Sequence, residues 1–260
     1  MTAVAERDRE PDSELVSIIM PTYNCGAFIG ETIATVQAQT HSRWELLVVD
    51  DCSADDTAEV VAALAENDPR IHYVRLETNS GAAMARNRAM ELAQGRYMAF
   101  LDSDDLWHPD KLRRQIDFMT SRGLAMSCTA YAQIDEQGAP TGKTVRSPAR
   151  TSYNRLLLDC PVGNSTVMYD VARLGKFEVP NIRKRNDDAL WLRMLRTERY
   201  IWGMPVVLMR YRLRSGSVSA NKRSLVKYHW TLYRDIEHLS VPRSVFHIGV
   251  WVLIKTLKVK

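Results

Sequence analysis

Between residues 15 and 122, short apolar runs rich in β-branched residues alternate with stretches of helical periodicity. Residues 16–20 read as a buried strand stopped by Pro21, and Ile29, Ile33 and Val36 share one face of a helix over 28–38. A second strand over 44–49 ends at Asp50-Asp51; Asp55 or Asp56 then caps a helix that turns Val60, Val61 and Leu64 inward. A third strand is expected over 71–76 and a third helix over 82–92, closed by Gly95. The fourth strand, 97–101, runs into Asp102-Ser103-Asp104-Asp105, and Pro109 sits in the first turn of a helix reaching about residue 119.

This alternation predicts an α/β fold with parallel strands, right-handed crossovers and helices on both faces. Ligands of such sheets bind outside the carboxyl ends of the strands. Thr22-Tyr23-Asn24, Asp50-Asp51, Asn79-Ser80-Gly81 and the acidic turn all fall there, so four strand ends bring polar groups to one crevice. After Arg122 the pattern changes. A strand over 124–134 turns at Glu136-Gln137-Gly138, residues 141–150 read as loop, and strands are expected over 166–169 and 206–213. Residues 189–196 form an amphipathic helix; helices over 222–239 and 244–258 are separated by Pro242.

Composition adds limits. The 260 residues suit one large α/β domain or two small ones, and 45 % apolar with 25 % charged residues argues against disorder. Cys25, Cys52, Cys128 and Cys160 show neither a close pair nor metal-ligand spacing, as expected for reduced thiols of a cytoplasmic protein. Residues 1–14 are polar and charged, without the apolar core of a signal peptide, and are expected to be a disordered tail. The longest apolar stretch, 244–254, is far short of the roughly 20 residues needed to cross a bilayer. The net charge of +4 hides an asymmetry: residues 176–260 carry 18 Lys/Arg and 6 Asp/Glu, a net +12, and the remainder carries −8. An acidic first part suits a cation, and a basic last part suits phosphates or an anionic membrane. Nucleic acid is not expected as a partner, because the basic residues form no recognised motif.

The turn Asp102-Ser103-Asp104 carries the sharpest chemistry. Carboxylates two residues apart in an extended turn can point the same way and supply hard oxygen ligands to Mg²⁺ or Mn²⁺. Beside it stand 16–24 (VSIIMPTYN), 47–57 (LVVDDCSADDT), Asn79-Ser80-Gly81 leading to Ala85-Arg86-Asn87, 100–105 (FLDSDD) and 107–112 (WHPDKL). In this order and spacing the motifs resemble glycosyltransferase family 2, of the bacterial surface-polysaccharide type. The resemblance implies a GT-A fold: a mostly parallel, Rossmann-like sheet flanked by helices, with a helical C-terminal extension. It also implies an inverting mechanism and a nucleotide-diphosphate sugar donor, usually a UDP-sugar.

Carried over by residue, the resemblance sets base and ribose against Pro21, Thr22, Tyr23, Asn24 and Asp51, with the Asp51 carboxylate accepting the uracil imide. Asn79, Gly81 and Arg86 lie toward the diphosphate or sugar, together with Asp102 and Ser103. Asp104 is the expected metal ligand, with Asp102 reaching the sugar or the ion through water. The family's catalytic base precedes a Leu-Trp-Leu helix; here the segment reads Asn186-Asp187-Asp188-Ala189-Leu190-Trp191-Leu192. Asp187 aligns with the base, Asn186 replaces the commoner Glu, and Asp188 stands where an aromatic is frequent, so either Asp is a candidate. On this reading 15–122 binds the nucleotide-sugar, 123–219 binds the acceptor and 220–260 forms amphipathic C-terminal helices.

Two features lie outside the motifs. Arg210, Arg212 and Arg214 alternate, and so share one strand face that either clamps a diphosphate or is solvated. Residues 228–260 mix aromatic and basic residues, as in a helix resting on an anionic leaflet or one packed on the domain. The sequence lacks the GxGxxG of a dinucleotide oxidoreductase and the P-loop pattern. The alternative from another class is a nucleotide-sugar-binding module without catalysis. The acceptor expected for an enzyme is a glycan or lipid-diphosphate-linked sugar, reached from the inner face of the cell membrane.

Overall fold

Strand β1 (Val16–Thr22) is buried along its whole length, which explains its unbroken apolar run: it lies inside a sheet covered on both faces. The structure is a computed structural model describing residues 14–214 and 222–257, so the expected tail up to residue 13 and the run 215–221 lie outside the described residues. The first half reads β1, α1 (Gly26–Gln37), β2 (Trp44–Asp50), α2 (Thr57–Ala65), β3 (Ile71–Arg75), α3 (Ala82–Leu92) and β4 (Tyr97–Phe100). These strands pair in parallel in the order β3-β2-β1-β4, so all four carboxyl ends reach one edge. Then come β5 (Leu106–Trp107), α4 (Lys111–Arg122), β6 (Met126–Ile134), β7 (Pro140–Val145), β8 (Arg150–Thr151) and α5 (Tyr153–Leu158). A 3-10 turn (Asn164–Thr166), β9 (Met168–Asp170), α6 (Val171–Leu174), α7 (Asn186–Met194) and β10 (Ile201–Arg212) follow. The chain continues with α8 (Lys222–Thr231), a π-helical turn (Leu232–Ile236) and α9 (Val241–Thr256).

The sheet continues from β4 through β9, β6 and β10 to β5. Strand β9 runs antiparallel to both β4 and β6, whereas β6 and β10 are parallel. The first half is thus wholly parallel and the second half mixed. Side-chain alternation along the strands splits the core into two layers. Ile19, Leu47, Val49 and Phe100 pack with α3 and α7, where Trp191 meets Phe100 edge-on at 4.9 Å. Ile18, Met20, Leu46 and Val48 pack with α1, α2 and α4 on the other face.

Three expectations need correction. Gly95 does not cap α3, which ends at Leu92 with Ala93 as its C-cap; a Cβ on Gly95 would stand 2.6 Å from the Ser17 amide nitrogen and 2.7 Å from the Leu15 carbonyl. Glycine is required there by the close passage of β1. Residues 141–150 are a loop only over 146–149: β7 is antiparallel to β6 and β8 antiparallel to β10. Because β7 is polar and exposed, it lacks the alternation by which a half-buried strand is read. The helix expected over 222–239 ends its regular part at Thr231, and Pro242 lies inside α9's first turn rather than before the helix.

Candidate active site

Strand β4 ends at Phe100, and the next residues turn back on themselves through one serine. The Asp102 amide donates to Ser165 Oγ (3.0 Å), whose hydroxyl donates to Asp105 Oδ2 (2.6 Å), while the Arg212 amide donates to Asp105 Oδ1 (3.0 Å). Asp105 is therefore an inward anchor, and burial pushes its carboxyl well above the usual range. With Asp105 held inside, Asp102, Ser103 and Asp104 line a cavity of about 160 Å³ at the strand ends. Pro21, Thr22, Tyr23, Asp51 and Arg86 line the same cavity, so residues from separate motifs do converge. Tyr23 is half exposed, and Thr22 Oγ1 is buried with no hydrogen-bond partner among the described residues.

Asn24, Asn79 and Gly81 surround rather than line this cavity. Asn24 Oδ1 accepts from the Ala54 amide (2.8 Å) and its own amide donates to Ser53 Oγ (2.8 Å), joining the loops after β1 and β2. Asp51 receives the Ser80 amide on Oδ1 (2.7 Å) and the Gly81 amide on Oδ2 (2.8 Å), and Asn79 Nδ2 donates to the Asp51 carbonyl (3.1 Å). Both Asp51 oxygens thus already bind backbone amides at the start of α3, and a base contact would use their remaining lone pairs. Gly81 has φ +92°, a conformation that favours glycine.

Arg86 crosses the cleft. It projects from α3 with its side chain 5 % exposed; Nη2 lies 3.2 Å from Asp102 Oδ1, and Nη1 donates to Asn186 Oδ1 at the start of α7. Asn164 Nδ2 also donates to Asp102 Oδ1 (2.8 Å). Desolvation raises the Asp102 pKa to about 6. The Arg86 guanidinium pulls it down, and the negative charges of Asp104 and Asp187 push it up. Asp187 is thus near enough to the acidic turn to act on it electrostatically.

The two aspartates of α7 have different surroundings. Asp188 is buried and accepts from Arg185 Nη1 (3.1 Å), a residue in the left-handed conformation (φ 67°). Desolvation and the neighbouring Asp187 raise its pKa to about 6, against the pull of Arg185. Asp187 is half-buried on the first turn of the same helix.

The alternating arginines are not equivalent. Arg210 is exposed, whereas Arg212 is buried, with Nε on the Asp104 carbonyl (2.9 Å) and Nη2 on Glu31 Oε2 (2.6 Å). Arg214 Nη1 lies 3.2 Å from Asp104 Oδ2. A three-arginine clamp is therefore replaced by two arginines braced against the acidic turn. A larger cavity, about 620 Å³ and lined by Met84, Asn87, Lys176 and Phe177, includes none of the candidate catalytic carboxylates. Asn164 and Ser165 escaped the sequence reading because they sit in a three-residue 3-10 turn without periodicity. Their one sequence signal is a polar Asn-Ser-Thr run between apolar Val162 and Val167.

Asp102 and Asp104 are hard oxygen donors crowded by like charge, the setting that a divalent cation relieves. Among the described residues no three or more His, Cys, Asp or Glu side chains form a ready-made cage, so such a cation would complete its shell with phosphate and water.

A wholly parallel half joined to a mixed half, with paired carboxylates at the strand ends, defines the class: a GT-A glycosyltransferase fold. S. aureus TarS, crystallised in complex with UDP, matches it with a TM-score of 0.66 over 91 % of this chain and 70 % of that one, at 20 % identity. The model of the family Glycosyl transferase family 2 matches residues 17–181, and the chain belongs to that family. The putative teichuronic acid biosynthesis glycosyltransferase TuaG of Bacillus subtilis (strain 168) is 45 % identical over 89 % of this chain and 92 % of its own. The Escherichia coli UDP-Glc:alpha-D-GlcNAc-diphosphoundecaprenol beta-1,3-glucosyltransferase WfgD is 39 % identical over 93 % of this chain and 94 % of its own. The protein is a glycosyltransferase.

Proposed function

We propose that this enzyme transfers a sugar, with inversion and with the help of a divalent metal, from a UDP-sugar to a glycan hydroxyl carried on a lipid diphosphate in surface-polysaccharide synthesis. The observation that carries the reading is the Arg86 bridge, which ties the acidic donor turn at Asp102 to the helix bearing Asp187. A donor-side carboxylate pair and a half-buried carboxylate at one cleft are what a single displacement needs. Tyr23 offers a ring face to the base, and the Thr22 hydroxyl and Arg86 Nε, which have no partner among the described residues, offer hydrogen bonds to the donor. The names of TuaG and WfgD support the polysaccharide setting, and that of WfgD supports a lipid-diphosphate acceptor.

Asp187 is assigned as base because Asp188 is buried and engaged by Arg185. Asp187 takes the proton of the acceptor hydroxyl, whose oxygen attacks the anomeric carbon as the bond to the nucleoside diphosphate breaks. Arg86 and Asn164 keep the Asp102 carboxylate oriented during this step. Mg²⁺ or Mn²⁺, held by Asp104 with Asp102, would supply neutralising charge to the departing diphosphate. An α-linked donor then gives a β-linked product, and an α-linkage by NMR contradicts the mechanism. Asp187→Asn is expected to keep donor affinity and lose transfer, by about a hundredfold or more. Full transfer in that variant overturns the assignment, and no transfer by the native protein with any donor favours a non-catalytic binding module.

A further inference from the structure

Helix α9 has one face inside the protein and another that no described residue covers. Ser244, His247 and Trp251 are buried, three and four residues apart. On the opposite side Val241, Val245 and Val252 form one row and Phe246, Leu253 and Leu257 another, and these six are 42–62 % exposed. Pro242, Gly249 and Thr256 fall on the same side by helical periodicity, so that half of the helix carries no charge. Scattered apolar residues need no explanation on a protein surface, but two full rows along a 16-residue helix do. Helix α8 adds Val226 and Trp230, four residues apart and each 40 % exposed.

Helix α9 itself carries charge of one sign, and the one acid against it among the described residues is Asp159, which pairs with Lys255. From Val241 to Lys260 the sequence has Arg243, Lys255, Lys258 and Lys260 and no Asp or Glu. Arg243 and Lys255 are exposed and flank the apolar rows, and Lys227 is exposed on α8. An apolar helix face flanked by cations matches an anionic lipid surface, where the rows enter the acyl boundary and the cations meet the headgroups. No helix among the described residues is long and apolar enough to cross a membrane, so this contact would lie in the interface plane.

The buried face of α9 leads to the catalytic cleft. Trp251 packs on His229 at 4.4 Å between ring centroids, and the Arg185 guanidinium lies 5.7 Å from the Trp251 ring. Arg185 pairs with Asp188, beside Asp187. On the same side, Lys255 pairs with Asp159 (2.8 Å). One helix, about 10 Å across with its side chains, thus separates the exposed rows from the elements that carry the base.

We infer that α9 is an interfacial anchor whose outer face binds an anionic membrane, and that its inner face, through Trp251 and Arg185, sets the Asp187 helix at the height of a sugar diphosphate projecting from that membrane. The inference rests on the lipid-linked acceptor proposed above and adds the surface that delivers it. Asp187 then needs no long lipid-binding channel: the lipid stays in its leaflet and the headgroup sugar enters the cleft from the α9 side.

The test uses the full chain and vesicles without acceptor, so that its outcome is independent of acceptor identity. Native protein should co-sediment with vesicles of phosphatidylglycerol and phosphatidylcholine at least about tenfold better than with phosphatidylcholine alone. Phe246→Glu with Leu253→Glu should weaken binding about a hundredfold, since each removes one inserted side chain. The pair should keep the native thermal transition and native transfer to a water-soluble acceptor sugar. Equal binding by native protein and double variant overturns the inference, as does a native protein indifferent to anionic lipid. A double variant that only converts a dimer into a monomer overturns it in favour of a second copy on this face. If vesicles bind as expected but a lipid-diphosphate sugar is not an acceptor, the anchor stands and the acceptor assignment fails.

Discussion

Replacing Arg86 by lysine tests whether the cleft works as one unit. The guanidinium reaches two oxygens on different elements, Asp102 Oδ1 at 3.2 Å and Asn186 Oδ1, from a side chain 5 % exposed. A lysine keeps the charge but has one compact nitrogen, and it cannot hold both partners in a fork. One buried charge-assisted hydrogen bond is then lost, worth about 1.5–3 kcal/mol. At about 1.4 kcal/mol per tenfold, kcat/KM should fall by about 10- to 150-fold. Steady-state kinetics with donor and acceptor varied separately checks this, and the fall should lie mainly in kcat because the positive charge beside the donor survives. Asn186→Ala cuts the same link from the other end, so the double variant should be less than additive by about 1 kcal/mol or more. Additivity within about 0.3 kcal/mol, or an Arg86→Lys enzyme within twofold of native, refutes the idea that the bridge aligns the base helix with the donor turn.

Three further outcomes follow from the packing. Burial lowers the Lys111 pKa to about 7, although its ammonium lies 4.0 Å from the Trp107 ring centroid and donates to Gln115 Oε1 (2.9 Å). The unfolded chain therefore holds more protons than the folded one between pH 7 and its ordinary 10.5, so this residue's cost is full below about 7 and fades as pH rises through that window. Urea unfolding should show Lys111→Met gaining on native protein by several kcal/mol, on the order of 4, at pH 6.5 relative to pH 10.5; a pH-independent difference contradicts a buried neutral lysine. Gly95→Ala should cost about 3 kcal/mol in the same assay, because its Cβ meets β1 backbone 2.6 Å away; a loss below about 0.5 contradicts that close contact. Asp188→Ala should lower the melting temperature by several degrees, by leaving Arg185 partly buried and unpaired, whereas Asp187→Ala should abolish transfer with little change in stability. The reverse pattern would exchange their roles.

The parallel half was legible because β1, β2 and β4 are buried runs that stop at polar turn residues, acidic after β2 and β4, and each leads into a family-like motif. Residues from those motifs share one cavity for the same reason: parallel neighbours put their carboxyl ends together. Strand β7 was not legible, since an exposed polar edge strand has no period-two pattern, and Gly95 was misread because the atoms that require glycine lie 78 and 80 residues earlier, at Ser17 and Leu15. The inward turn of Asp105 depends on Ser165, 60 residues away, so spacing alone grouped it with Asp102 and Asp104. For the alternating arginines period two left a diphosphate clamp and a face balancing acidic neighbours open; Arg212 and Arg214 pair with Glu31 and Asp104, as in the second, but Arg212 is buried rather than solvated. The Arg86–Asn186 contact joins residues 100 apart and had no local signature beyond the Asn that replaces the family's commoner Glu.

The most direct measurement is calorimetric binding of UDP, with and without Mn²⁺ or Mg²⁺, to native protein and to Asp104→Ala. The cation should strengthen UDP affinity by about tenfold or more in native protein and leave it unchanged in the variant. No measurable UDP binding, or a cation effect that survives the loss of Asp104, contradicts a donor site built on the acidic turn.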